Sequence, residues 1–145
     1  MSKQDYLRFR KEFNVIAEGT NLEFIPLPEE NGNLLEETGA TFQENALIKA
    51  KFAFENCAGT PCLADDSGLE VSALEGAPGV LSARYAGDEC DNEKNIDKLL
   101  ADMKDIPDKE RNAQFTCVIV LVSPEGVELA VEGVCKGKIA LERSG

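Results

Sequence analysis

The chain has 145 residues, 43% hydrophobic and 29% charged, which suits one globular domain that buries about two thirds of its unfolded surface. A net charge of −12 disfavours nucleic acid as a partner, and the absence of histidine excludes Ser-His-Asp and Cys-His catalysis and histidine-ligated zinc. No apolar run nears the roughly 18 residues of a membrane helix, which leaves the membrane out as a partner.

The opening "MSKQDYLRFRKEF" holds no signal-peptide core, and the five cysteines form no CxxC pair, so the sequence reads as cytoplasmic. Residues 3–17 predict a helix, with Tyr6, Leu7, Phe9, Phe13 and Ile16 apolar among basic neighbours. Residues 22–27, "LEFIPL", predict a short strand. Residues 41–57 give the clearest helix: Thr41 and Glu44 form a capping box, and Phe42, Ala46, Ala50, Ala53, Phe54 and Cys57 an apolar stripe. "PCLA" then enters an aspartate pair, Asp65 and Asp66, and "LEVSAL" leaves it. Residues 75–87 predict an ordered loop. Residues 91–103 predict a helix with Ile96, Leu99, Leu100 and Met103 inward. "AQFTCVIVLVS" and "VELAVEGVC" predict a hairpin turning at "PEG". The whole describes an α/β or α+β domain with a mixed sheet; the first of these, α/β with a mixed twisted sheet flanked by helices, is the one the resemblance given below implies.

Two adjacent carboxylates beside a core strand need an explanation, because buried charges are costly unless paired. Side chains alternate along a strand, so Asp65 and Asp66 diverge unless the strand ends there. "DSG" is good turn chemistry and predicts that it does end, at the carboxyl edge where ligands of α/β sheets bind. A solvated acidic turn explains the pair equally well. A second acidic stretch, "EETG", precedes the capped helix, on which Asn45 and Lys49 share a face. Glu36 or Glu37 with Asp65 or Asp66 makes an oxygen-only site suited to Mg²⁺ and substrate phosphates, with Lys49 as a point charge on a phosphate. Taken singly, Lys49 is an ordinary surface lysine and the Glu36–Glu37 pair ordinary solvated acid. The conjunction carries the reading.

"ETGATFQENALIKAKFA" followed by "ADDSGLEVSALEGAPGVLSARYAG" strongly resembles the inosine-triphosphate pyrophosphatase family, and the match continues through "NAQFTCVIVL" and "SPEG". The resemblance implies hydrolysis of non-standard purine nucleoside triphosphates (ITP, dITP, XTP) to the monophosphate and pyrophosphate. It implies Asp66 as general base, Mg²⁺ held by Glu36 (or Glu37), Asp65 and Asp66, and Lys49 and Ser67 on the substrate. Asn45 and Arg84 lie in matching motifs and take supporting, structural roles. A homodimer is the assembly common in the full-length family.

The family also implies a first strand with a phosphate loop, of which Lys3 is the candidate lysine remnant, and a later base-recognition segment. Neither is recognisable in this sequence. Residues 1–145 are therefore expected to form a single domain of the family lacking both parts. The alternative is a fragment that binds Mg²⁺ or nucleotide phosphates without turnover. "ADDSG" and "GDECDNE" do not follow the spaced ligands of an EF-hand, and "DECDNE" suits a helix N-terminus. A phosphatase with an aspartate nucleophile would release orthophosphate instead.

Overall fold

The computed structural model describes residues 18–21, 23–25, 35–126 and 128–143. The expected helix 3–17, with Lys3, lies outside the described residues. Of the expected strand 22–27, residues 23–25 are described and form no strand. The chain divides into two compact units, Met1–Glu36 and Glu37–Gly145, and the elements below belong to the second.

Helix α1 (Phe42–Asn56) starts where its cap dictates. The Thr41 hydroxyl accepts from the Glu44 amide at 3.2 Å, and the Glu44 carboxylate accepts from the Thr41 amide at 3.2 Å. The box satisfies donors that a helix start otherwise leaves unpaired. Strands β1 (Cys62–Val71), β2 (Asn112–Val122) and β3 (Glu128–Lys138) follow, with helix α2 (Asn92–Asp102) between the first two. Asp91 caps α2 by accepting from the Glu93 and Lys94 amides. The sheet runs β1-β2-β3, and all its pairing is antiparallel among the described residues. The α/β class stands, and the β2–β3 hairpin turns as expected, with the Gly126 amide donating to the Ser123 carbonyl.

The aspartates do not end a strand. β1 runs unbroken through them: Asp65 pairs with Ile119, Asp66 with Val118, Ser67 with Cys117 and Gly68 with Thr116. This corrects the expected turn at "DSG" and the placing of the pair at a strand's carboxyl end. Gly68 serves close approach instead of a turn. A Cβ there would lie 2.5 Å from both the Gly79 carbonyl oxygen and the Ser82 hydroxyl, and 2.9 Å from the Phe42 ring. Its absence lets the 3₁₀ helix Gly79–Arg84, inside the expected ordered loop, press on the strand.

α1 covers one face of the sheet, packing Phe42, Ala46 and Ala50 on Val118, Val120 and Val122. The alanines let the helix sit close, and each buried valine contributes about 1.5–3 kcal/mol. A second cluster joins Val71, Met103 and Ala113 to Leu69 and Leu99. Ile96, expected inward on α2, is 41% exposed, because only the Leu99–Met103 end of that helix meets the core. Arg111, 2% exposed, holds this end together. Its guanidinium donates to the carbonyls of Met103, Ile106, Ile139 and Ala140 at 2.5–3.2 Å. No helix among the described residues is long and apolar enough to cross a membrane.

Candidate active site

Asn45 and Lys49 lie one helical turn apart on α1 and converge on one carboxylate of β1. Lys49 Nζ is 2.7 Å from Asp66 Oδ1, and Asn45 Nδ2 donates to Asp66 Oδ2 at 3.2 Å. Asp66 is 7% exposed, so the solvated acidic turn is excluded: this is a buried acid with a donor on each oxygen. A carboxylate offers about four acceptor sites. Each oxygen therefore keeps room for one more donor, such as a water.

Glu37 enters from the stretch ahead of the helix, and Lys49 Nζ is 3.2 Å from its Oε1. Gly39 makes that path possible. Its amide donates to Asn45 Oδ1 at 2.8 Å, and a Cβ there would lie 2.6 Å from the same oxygen and 2.8 Å from the Asn45 amide. Only glycine lets "ETG" lie this close to the first turn of α1. Burial by itself lowers the affinity of Lys49 for its proton. The hydrogen bond and charge of Asp66, with those of Glu37, more than offset it and hold the ammonium above the ordinary lysine range.

Asp65 and Ser67 leave β1 on the face opposite Asp66. Burial pushes the Asp65 carboxyl up; the Lys49 charge opposes this, and those of Asp66 and Glu37 add to it. Glu37, Lys49, Asp65 and Asp66 thus share one electrostatic field. Ser67 is exposed, and Glu36 is exposed at the end of the first unit. Lys3 lies outside the described residues.

Glu37, Asp65 and Asp66 are hard oxygen donors, the kind Mg²⁺ takes. Among the described residues no three acids or thiols converge into a metal cage. Mg²⁺ commonly keeps its waters and uses one or two carboxylates with substrate phosphates; Glu37 and Asp66, both bonded to Lys49, are two such carboxylates, whereas Asp65 leaves the opposite face of β1.

Two features escaped the sequence reading. Arg111 binds only carbonyls, and no spacing of residue types announces that. Glu70, four residues past Asp66, accepts from the Thr116 hydroxyl at 2.6 Å and from the Gln114 amide at 2.8 Å. These bonds, Thr116's first, hold its carboxyl below the ordinary range. A polar pattern at 114 and 116 within an apolar strand was the available signal.

The same α/β arrangement is found in solved structures. A nucleoside-triphosphatase / dITP/XTP pyrophosphatase from Mycobacterium abscessus superposes with a TM-score of 0.80 at 43% identity, covering 96% of this chain and 73% of its own. A Staphylococcus aureus Ham1 protein gives 0.81 at 38% identity, covering 95% and 70%. The sequence profile of the Ham1 family matches residues 10–145, and the chain belongs to that family. A dITP/XTP pyrophosphatase of Halalkalibacterium halodurans is 51% identical over 111 residues, 77% of this chain and 57% of its own length. One from Vibrio parahaemolyticus is 46% identical over 125 residues, 85% and 62%. The chain thus spans about three fifths of the length of these curated relatives.

Proposed function

We propose that this protein hydrolyses non-standard purine nucleoside triphosphates (ITP, dITP, XTP) to the monophosphate and pyrophosphate, by water attack at the α-phosphorus. The observation that carries the reading is the buried Asp66 carboxylate, fixed by Lys49 and Asn45 with acceptor sites to spare. The names of the relatives, dITP/XTP pyrophosphatases, support the substrate class.

Asp66 is the general base: it accepts a proton from a water held at one of its oxygens. Lys49 fixes that carboxylate and supplies positive charge for a phosphate oxygen, and Asn45 keeps it from rotating. Ser67 contacts the substrate from the open edge of β1, and Lys3 belongs to the substrate-binding set by resemblance alone. Mg²⁺ would be held by Asp66 with Glu37; Glu36 stays in the set by resemblance alone, and Asp65, expected as a ligand, leaves the opposite face of β1. When bound the ion would neutralise phosphate charge and acidify water. All five cysteines are free thiols, which supports a reducing, cytoplasmic setting. The net charge of −12 opposes nucleic-acid binding, and a homodimer follows from the family resemblance.

The test is Mg²⁺-dependent release of pyrophosphate from dITP, XTP and ITP against ATP. Selective release supports the reading. Orthophosphate as first product, or equal turnover of ATP, overturns it. A second reading, binding of Mg²⁺ or nucleotide phosphates without turnover, draws on the same geometry. Lys49 is bonded to both Glu37 and Asp66, and a centre so tied can hold phosphates without activating water.

A further inference from the structure

The five free thiols differ in their surroundings. Cys90 is exposed beside the Asp88 carbonyl, and Cys135 is exposed on β3. Cys117 of β2 lies opposite Gly133, two residues from Cys135, so these two are diagonal neighbours about 7–8 Å apart. That is at or beyond the roughly 7 Å between Cα atoms that a disulfide spans. Cys57 and Cys62 are different: both are half-buried, and their thiols are hydrogen-bonded to each other.

Local structure brings this pair together. Cys57 ends α1, its amide donating to the Phe54 carbonyl at 3.3 Å. The Thr60 amide then donates to the Cys57 carbonyl at 3.0 Å and closes a tight turn over Ala58 and Gly59. Both turn residues have positive φ, 50° and 77°, the combination that reverses a chain in two residues. Such a turn brings Cys57 and Thr60 within about 7 Å between Cα atoms. Cys62 opens β1 two residues on, and its thiol folds back to donate to the Thr60 carbonyl at 3.2 Å. The Cys62 sulfur thus returns over the turn that Cys57 begins. Packing anchors both sides of it, since Phe54 of α1 and Ala64 of β1 lie against the same core cluster.

The pair is also clear of the candidate site. Cys57 is eight residues past Lys49, about 12 Å along the helix, and Cys62 is four residues before Asp66, about 13 Å along the strand. A bond between the sulfurs joins the two elements that carry Lys49 and Asp66 without touching either side chain.

We propose that Cys57 and Cys62 form an oxidative modification site, a dithiol that a low-molecular-weight disulfide converts into a Cys57–Cys62 disulfide stapling the end of α1 to the start of β1. This does not depend on the function proposed above. The Cys57 thiol loses its proton to water and attacks one sulfur of the small disulfide, whose other half leaves as a thiolate and is protonated. Cys62 then attacks the Cys57 sulfur of the mixed disulfide, and the second half leaves with the Cys62 proton. Two protein thiols are oxidised by two electrons, and one small disulfide is reduced to two thiols. The order follows from the surroundings of Cys62. Burial, then the charge and hydrogen bond of Cys57, push its pKa up to about 11, so Cys57 reacts first. Once Cys57 is in the mixed disulfide, its charge no longer opposes ionisation of Cys62.

The experiment incubates the folded full chain with oxidised and reduced glutathione and quenches in acid. The remaining thiols are alkylated in denaturant, and tryptic peptides are weighed without reduction. No lysine or arginine separates Cys57 from Cys62, so one peptide carries both. It is expected to be two hydrogens lighter with neither cysteine alkylated, and dithiothreitol should restore both thiols. Closure is expected to run about tenfold or more faster in the folded chain than in urea, because the fold holds the thiols together. In Cys62→Ser, Cys57 is expected to stop as the mixed disulfide with glutathione. A peptide that stays fully alkylatable, or that carries glutathione on both cysteines, overturns the proposal. So does equal closure in the folded and unfolded chain, or a disulfide found only between chains. Should Cys62→Ser not fold, the light peptide of the unmodified chain decides alone.

Discussion

Lys49 and Asp66, 17 positions apart, meet at 2.7 Å between α1 and β1, and this contact ties the packing of the domain to its candidate chemistry. The helix cannot lift from the sheet without exposing the acid. The acid cannot turn without breaking the ion pair.

Asp66→Asn is expected to lower kcat for dITP by about 10²–10⁴, the usual contribution of a general base. Asparagine keeps the shape of the side chain, so circular dichroism should report a folded protein. Unchanged pyrophosphate release in the folded variant removes Asp66 from the role.

Lys49→Met leaves Asp66 buried with only Asn45 as donor and is expected to cost about 1–3 kcal/mol in urea unfolding. The Lys49 side chain is 26% exposed, which favours the low end. Much of the loss should vanish when Asp66→Asn is the background, the mark of direct coupling. The pH dependence has a definite sign. Folding holds the Lys49 ammonium above its unfolded value of 10.5, so its stabilisation is complete below that pH and is lost as pH rises through the folded value. The gap between wild type and Lys49→Met should therefore narrow in melts above about pH 10.5.

Gly68→Ala forces a methyl to within 2.5 Å of the Gly79 carbonyl and the Ser82 hydroxyl, so the 3₁₀ helix must move. A cost of about 1–3 kcal/mol is expected. Gly133→Ala meets no atom within 4 Å and should stay within about 0.5 kcal/mol of wild type. Equal melting temperatures for the two variants would contradict the close-approach account.

Arg111→Leu strips donors from the carbonyls of Met103, Ile106, Ile139 and Ala140 at the edge of the second cluster. A loss of about 3 kcal/mol or more is expected, with faster hydrogen exchange at the end of α2.

The thiols should separate by reactivity. Burial and the neighbouring Cys57 thiol push the Cys62 pKa up to about 11, while Cys90 and Cys135 are exposed. Only the thiolate attacks iodoacetamide. Peptide mass spectrometry should find Cys90 and Cys135 alkylated well before Cys62.

Local rules made parts of this molecule legible. Thr41 and Glu44 announce α1 because a capping box needs only four consecutive residues. The β2–β3 hairpin is written in alternation and a short turn. "DSG" misled because Asp, Ser and Gly suit a turn and equally suit a strand crossed closely by another segment, and only the contact with Gly79 and Ser82 tells them apart. The candidate site was legible as a set of residue types, and the family motifs grouped them. That Glu37 is the one bonded to Lys49 follows from Gly39 lying on α1, a tertiary contact with no footprint in spacing.

The divergence of Asp65 and Asp66 has one more consequence, which concerns parity. Ala64, Asp66 and Gly68 occupy the even positions of β1, facing α1 together with Val118, Val120 and Val122 of β2. A slip of one residue would turn the candidate base away from Lys49 and in the same motion exchange the face that packs on α1 with the face whose Leu69 and Val71 join the second cluster. The frame that packs the valines is the frame that aims the carboxylate, so an insertion within β1 should abolish folding before it could yield a folded protein with a misdirected acid.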